Sequence, residues 1–145
     1  MEKKCEKHSR EFRQQLRHKG LKATKGRLGI LNIFAREAKP LSIKQLQNRI
    51  GPSGPDTATL YRNAESLTAE GLLVKVNLGG KNSSYELAGR AHHHHLICKN
   101  CRKISDVTIS IRPALNLQAL KSAKDFAAVT GHSLEFFGFC KKCQN

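Results

Sequence analysis

Apolar positions in the first seventy residues recur at helical spacing and mark four segments. Phe12 and Leu16 stand four apart among Lys7, Arg10, Arg13, Arg17 and Lys19, and Gly20 supplies a left-handed stop, which predicts a helix over 7–19. Its apolar stripe is narrow, so it is expected to dock loosely and present cations. Thr24 predicts the N-cap of a second helix whose face is Leu28, Leu31, Phe34 and Ala35, ending before Pro40. Ser42 and Gln45 have the spacing of a capping box for a third helix carrying Ile43, Leu46 and Ile50, stopped by Gly51. The run Pro52-Ser53-Gly54-Pro55 predicts a turn, after which Asp56 caps a fourth helix, about Thr57 to Glu70, with Leu60, Ala64 and Leu67 inward and Gly71 past its end.

The apolar period then shortens. Leu72–Val76 and Ser83–Leu87 read as strands about the turn Leu78-Gly79-Gly80-Lys81, and helices followed by a β-hairpin predict a winged helix-turn-helix over residues 1–87. Residues 88–91, Ala88-Gly89-Arg90-Ala91, read as a hinge linker. In residues 92–145 strands are expected at Leu96-Ile97, Ile104–Ile111 and Ser133–Phe139. A helix is expected from Pro113 to about Val129, with Leu117, Leu120, Ala123 and Ala127 along one stripe and Gly131 as its stop. The predicted class is α+β: an N-terminal winged helix followed by a small α/β unit. So short a second unit has a meagre core, and it is expected to need a metal, a partner subunit or both. Phe136, Phe137 and Phe139 fit either its core or a dimer interface.

Charge narrows the partners. The 145 residues carry a formal net charge of +15. Residues 1–90 hold 18 Lys and Arg against 8 Asp and Glu, so the excess lies mostly in the predicted winged helix. A polyanion is the expected partner through counterion release, with nucleic acid ahead of membrane because no basic amphipathic helix exposes Trp or Phe. Thr57, Thr59, Tyr61, Arg62 and Asn63 fall largely on the outer face of the fourth helix, and such side chains reach phosphates or base edges. The chain has no stretch of 18 apolar residues and no signal-peptide core at its start, so the expected location is the cytoplasm.

The densest chemistry is His92-His93-His94-His95-Leu96-Ile97-Cys98-Lys99-Asn100-Cys101, with the Cys-x-x-Cys spacing repeated at Cys140 and Cys143. Two such pairs supply the four thiolates of a closed tetrahedral zinc site; the competing readings are disulfides, a redox pair or unrelated buried thiols. The histidine run is internal and bounded by Leu96 and Ile97, unlike an expression tag. Cys5, the fifth cysteine, is expected to be a free surface thiol.

These residues together resemble the ferric uptake regulator family of metal-responsive bacterial repressors over nearly the whole chain. The matching stretches are Gly20-Leu21-Lys22-Ala23-Thr24 with Arg27, Ile30 and Leu31; Ala58-Thr59-Leu60-Tyr61-Arg62; Tyr85-Glu86-Leu87; the His92–Cys101 run; Gly131-His132; and Phe137-Gly138 with Cys140 and Cys143. The resemblance implies a homodimer that binds a palindromic double-stranded DNA operator, with a winged helix, a dimerisation domain, a structural Zn²⁺ and one or two regulatory metal sites at the hinge. It places the structural zinc on Cys98, Cys101, Cys140 and Cys143, a regulatory Fe²⁺, Zn²⁺ or Mn²⁺ on Glu86, His93, His95 and Asp106, and a second site on His92, His94 and His132. Alternation along an extended segment agrees, because His93/His95 and His92/His94 then point to opposite faces. Tyr61 and Arg62 are expected in the major groove, Thr59 on DNA from the same helix, and Lys22 and Arg27 near the backbone or minor groove.

Three positions depart from the family pattern. Lys39-Pro40-Leu41 lacks a histidine often found before the third helix, Ser110-Ile111-Arg112-Pro113 lacks a carboxylate that commonly completes the second site, and Arg102 stands where glycine usually follows the second cysteine. Two other functions fit parts of the sequence. A small metalloenzyme lacks a separate nucleophile or acid/base pair, and a zinc-ribbon RNA-binding module has few aromatic groups for base stacking, with eight Phe and Tyr and no Trp. The expectation is a non-enzymatic, metal-dependent transcriptional regulator of metal-homeostasis or peroxide-response genes, acting as a repressor.

Overall fold

The structure, a computed structural model, describes the backbone of residues 2–110 and 112–144 and the side chains of 8–110 and 113–144. The thiol expected at Cys5 lies outside the described side chains. The chain divides into two compact units, Met1–Arg90 and Ala91–Asn145.

In the first unit, α1 (Glu2–His18), α2 (Lys25–Arg36), α3 (Ile43–Ile50) and α4 (Thr57–Ala69) are followed by the hairpin β2 (Leu73–Val76) and β3 (Ser84–Leu87). Each internal helix starts where a short polar side chain can take an orphan N–H. Thr24 accepts from Arg27 N, Ser42 and Gln45 form a reciprocal box, and Asp56 Oδ1 accepts from Thr59 N at 2.9 Å. The Thr59 N–H also holds the Asp56 carboxyl below its ordinary range.

α1 and α4 end alike. Gly20 and Gly71 have φ of 72° and 70°, and each lets the following leucine donate back across the last turn: Leu21 N to Leu16 O and Leu72 N to Leu67 O, both at 2.8 Å. A side chain with a Cβ adopts that backbone only at a cost, so glycine stands there.

The core of this unit gathers Phe12 and Leu16 from α1, Ile30, Leu31 and Phe34 from α2, Ile43 and Leu46 from α3, Leu60, Ala64 and Leu67 from α4, and Leu73 and Tyr85 from the hairpin. The loose docking expected of α1 is not what forms. Leu16 is completely buried and Asn32 Nδ2 donates to Ser9 Oγ at 2.9 Å, so two apolar side chains and one polar tie seat the helix on α2. A two-residue strand absent from the sequence reading, β1 (Leu41–Ser42), pairs antiparallel with Ser84 and Tyr85 and completes a three-stranded sheet in the order β1-β3-β2. So short a strand has no periodicity of its own and exists only through its partner.

The second unit holds β4 (His94–Cys98), β5 (Ile104–Val107), α5 (Arg112–Ser122) and β6 (Glu135–Gly138). Its sheet has the order β5-β4-β6, with β4 antiparallel to β5 and parallel to β6. β5 is shorter than the expected 104–111 because its pairing runs out where Val107 meets His94, the first residue of β4; Ile111 lies outside the described residues. α5 stops at Ser122, seven residues before the expected end, so Gly131 is not its terminator. Ser122 Oγ donates to Gln118 O at 2.9 Å in the final turn, and Leu117, on the predicted stripe, remains 54% exposed. A helix whose apolar face finds no cover has little tertiary support to lengthen it. Phe126, Phe137 and Phe139 are also exposed, so this unit on its own is short of core.

Candidate metal centres and nucleic-acid interface

β4 ends at Cys98, and the chain folds back at once: Arg102 N donates to Cys98 O and Cys98 N to Lys103 O. This knuckle brings Cys101 under Cys98, while the turn after β6, closed by Cys143 N to Cys140 O at 2.8 Å, delivers the second pair. The four sulfurs lie within 4.8 Å of one another. Cys101 Sγ and Cys140 Sγ are 3.6 Å apart, close to the ~3.8 Å edge of a tetrahedron with Zn–S bonds of ~2.3 Å and far beyond a disulfide bond of ~2.0 Å. All four cysteines are free thiols.

Their proton affinities diverge. N–H donors, Cys140 first and then Cys101, lower the Cys98 thiol to about 6, whereas a shared proton with Cys140 raises Cys143 to about 11. Four sulfurs this close cannot all become thiolates without a cation among them, so the donor set fits Zn²⁺. Arg102, in the knuckle, has φ of 62°, the one positive value outside glycine among the described residues. It occupies the position where the family pattern has glycine, and the backbone there shows why.

The histidine run divides by parity. The rings of His92 and His94 meet edge to face at 4.6 Å between centroids, and His132 lies 5.4 and 5.5 Å from them. One ring nitrogen of each lies within 4.8 Å of the others. On the alternate parity, His93 and His95 meet at 5.0 Å, and Asp106, the β5 residue in register with His95, brings Oδ1 to 3.9 Å from its Nε2.

Backbone carbonyls determine which nitrogens face inward. A carbonyl only accepts, so His94 Nδ1 donates to Leu134 O at 3.2 Å and His93 Nδ1 to Ala91 O at 2.7 Å. Each ring therefore carries its proton on Nδ1 and presents a bare Nε2, the orientation that metal-ligating histidines take. His94 Nε2 accepts from His92 Nε2 at 3.1 Å. His132 Nδ1 meets Asn116 Oδ1 at 3.2 Å, and its Nε2 is buried without a hydrogen-bond partner among the described residues. A buried bare lone pair beside two other imidazole nitrogens fits a cation. Asn116 and the Leu134 carbonyl had no signal in the sequence, because nothing in the spacing of 116, 132 and 134 tells which atoms meet. Glu86, on β3 of the first unit, is buried and takes an ion pair from Arg90 Nη1 at 3.1 Å.

The outer face of α4 carries Thr57, Tyr61 and Arg62 opposite the buried Leu60, Ala64 and Leu67. Arg62 Nη2 donates to Thr59 Oγ1, which itself donates to Asp56 Oδ2, so the guanidinium is held along the helix face. Lys22 is exposed in the α1–α2 turn. The Arg27 guanidinium donates to Lys22 O at 3.0 Å and Ser66 Oγ at 3.5 Å, tying the start of α2 to α4. A further tie, unread in the sequence, runs from β3 to α4, where the buried Tyr85 hydroxyl donates to Glu65 Oε1 at 2.6 Å and Lys75 Nζ approaches the same oxygen at 3.1 Å.

A winged helix with a polar outer face, in one chain with a four-thiol cluster and two sets of converging imidazoles, defines a class: the metal-binding winged-helix regulators. The model of the ferric uptake regulator family matches residues 18–137. The ferric uptake regulation protein of Campylobacter jejuni is 32% identical over 139 residues, which span 92% of this chain and 87% of that protein. Among solved structures, the Helicobacter pylori ferric uptake regulator, described with three functional metal binding sites, has a TM-score of 0.75 at 25% identity over 97% of this chain and 94% of its own. The Francisella tularensis regulator, solved with iron, has a TM-score of 0.69 at 27% identity over 87% and 96%. The chain belongs to the ferric uptake regulator family, which comprises metal-responsive regulators of transcription. Among the described residues no helix is long and apolar enough to cross a membrane.

Proposed function

We propose that this protein is a homodimeric repressor of metal-homeostasis or peroxide-response genes, whose grip on a palindromic DNA operator depends on a regulatory divalent metal. The observation that carries the reading is the pinned histidine run. His93 and His94 each give Nδ1–H to a carbonyl and offer Nε2, on opposite parities, in the same chain as a winged helix. Zinc on Cys98, Cys101, Cys140 and Cys143 leaves no open position and stabilises the second unit, whose own core is small. Exposed Leu117, Phe126, Phe137 and Phe139 suit burial against a second copy.

On DNA, Tyr61 and Arg62 read base edges, Thr59 and Lys22 contact the backbone or minor groove, and Arg27 positions α4 through Ser66. His93, His95 and Asp106, with Glu86 as the ligand from the winged-helix unit, form the regulatory set. Its mixed nitrogen and oxygen donors suit Fe²⁺, Mn²⁺ or Zn²⁺. Joining the two units through one ion favours the arrangement that spaces two recognition helices for successive half-sites, and operator DNA then tightens metal binding by the factor that metal tightens DNA binding. The protein has no catalytic group in this reading and works inside the cytoplasm.

The test is fluorescence anisotropy of an operator duplex across a metal titration, using protein with its thiolate zinc intact. Wild type should gain affinity with metal. His93→Ala should keep its zinc and its dimer yet lose that gain, and equal metal dependence in both proteins would move the switch to His92, His94 and His132.

A further inference from the structure

We infer that Asn116 sets the metal preference of the three-histidine centre. Its side-chain oxygen holds His132 as the Nδ1–H tautomer, so that His92, His94 and His132 form an all-nitrogen set that selects a zinc-class cation over a hard one. The inference rests on reading these imidazoles as a metal site and adds what that reading lacks, a selecting residue.

The tautomers follow from the partners. Leu134 O fixes His94 with Nε2 bare. Asn116 Oδ1, 3.2 Å from His132 Nδ1, does the same from α5 for a ring that no backbone carbonyl reaches among the described contacts. His132 Nε2 is then buried, unprotonated and without a partner, which is costly unless a cation or a donor takes the lone pair. The edge-to-face contact of His92 with His94, Nε2 to Nε2 at 3.1 Å, places the third nitrogen where one cation replaces the shared proton.

The donor set has no oxygen anion. Among the described residues no carboxylate joins these three nitrogens within 4.8 Å. Asp106 and Glu135 are both in register with His95, so they lie on the face of β4 opposite His94. Ser133 Oγ also donates to Glu135 Oε1 at 2.7 Å. Three neutral imidazoles leave the full charge of a divalent ion unbalanced. Mn²⁺ and Fe²⁺ draw much of their site stability from carboxylates and six-fold coordination, whereas Zn²⁺ is satisfied by three nitrogens and a water in a tetrahedron. Asn116 stands where an anionic ligand would change this, close enough to orient His132 and neutral.

The test uses the full chain with its thiolate zinc retained, in a His93→Ala/His95→Ala background that silences the other imidazole pair. Zn²⁺ and Mn²⁺ are the probes. Asn116→Ala should weaken Zn²⁺ binding at this centre by about 10–100-fold, the range for losing a partner that orients a ligating histidine. Asn116→Asp should narrow the Mn²⁺-to-Zn²⁺ ratio of dissociation constants by about tenfold or more. Imidazole ¹⁵N shifts of the metal-free parent should show His132 protonated on Nδ1, and the Asn116→Ala protein should show a tautomer mixture. This measurement needs no metal affinity and shows whether the variant is folded. Zinc affinity within twofold of the parent in Asn116→Ala, an unchanged ratio in Asn116→Asp, or a His132 protonated on Nε2 would overturn the inference while leaving the metal site standing. A parent that binds neither ion at this centre would overturn the metal-site reading itself.

Discussion

Removing one hydroxyl should loosen the tie between β3 and α4. Tyr85 is completely buried on β3, and its hydroxyl donates to Glu65 of α4 at 2.6 Å, so Tyr85→Phe deletes that link and leaves the ring packing in place. A hydrogen bond to an ionised acceptor contributes about 1.5–3 kcal/mol. Glu65 is 54% exposed and keeps Lys75 at 3.1 Å, so water takes the vacated lone pair and the cost falls toward about 1–1.5 kcal/mol. Tyr85→Ala, which also empties a ring-sized volume in the core, should cost about 3–5 kcal/mol.

The pH dependence has a definite sign. The Tyr85 hydroxyl, followed by Lys75, lowers the Glu65 carboxyl below its ordinary 4.5, so the link's contribution is full above that value and is lost as pH falls through the folded-state value. Urea unfolding of the full chain measures it. The gap between wild type and Tyr85→Phe should be widest at neutral pH, narrow as pH falls below 4.5, and shrink in a Glu65→Gln background, whose amide oxygen still accepts but carries no charge. A gap unchanged by acid or by Glu65→Gln would refute the pairing.

Other consequences follow from the same geometry. Cys140→Ser should lose the thiolate zinc and the dimer together, and a zinc-free dimer in sedimentation would separate the two. Arg62→Ala should leave zinc content and dimer unchanged; it should cost about 1–3 kcal/mol of operator discrimination if a base is read, or lower the salt slope by about one if a phosphate is held. Unaltered affinity and specificity would take α4 out of the groove. Arg102→Gly relieves a φ of 62° in the cysteine knuckle and should raise stability by about 0.5–1 kcal/mol in thermal unfolding, and a loss of stability would refute the strain assigned to that backbone.

Much of the first unit was legible along the chain because its signals are local. Thr24, Ser42 and Asp56 cap helices through atoms three residues away, and the leucines of α3 and α4 face inward by period alone. The parity of the histidine run was legible for the same reason: alternation in an extended segment needs no knowledge of what lies beside it. Elements that depend on distant partners were not. β1 exists only against Ser84 and Tyr85, and β5 ends where its antiparallel partner β4 begins. α5 stops early because its apolar stripe finds no cover within the unit, which periodicity cannot foresee. Which donors meet is likewise a matter of tertiary structure. Residue types named the candidate ligands, but only the fold placed Leu134 O on His94, Asn116 on His132 and Glu65 beneath the Tyr85 hydroxyl. A hydrogen bond across sixteen, twenty or forty residues is decided by packing, and packing is a property of the whole chain.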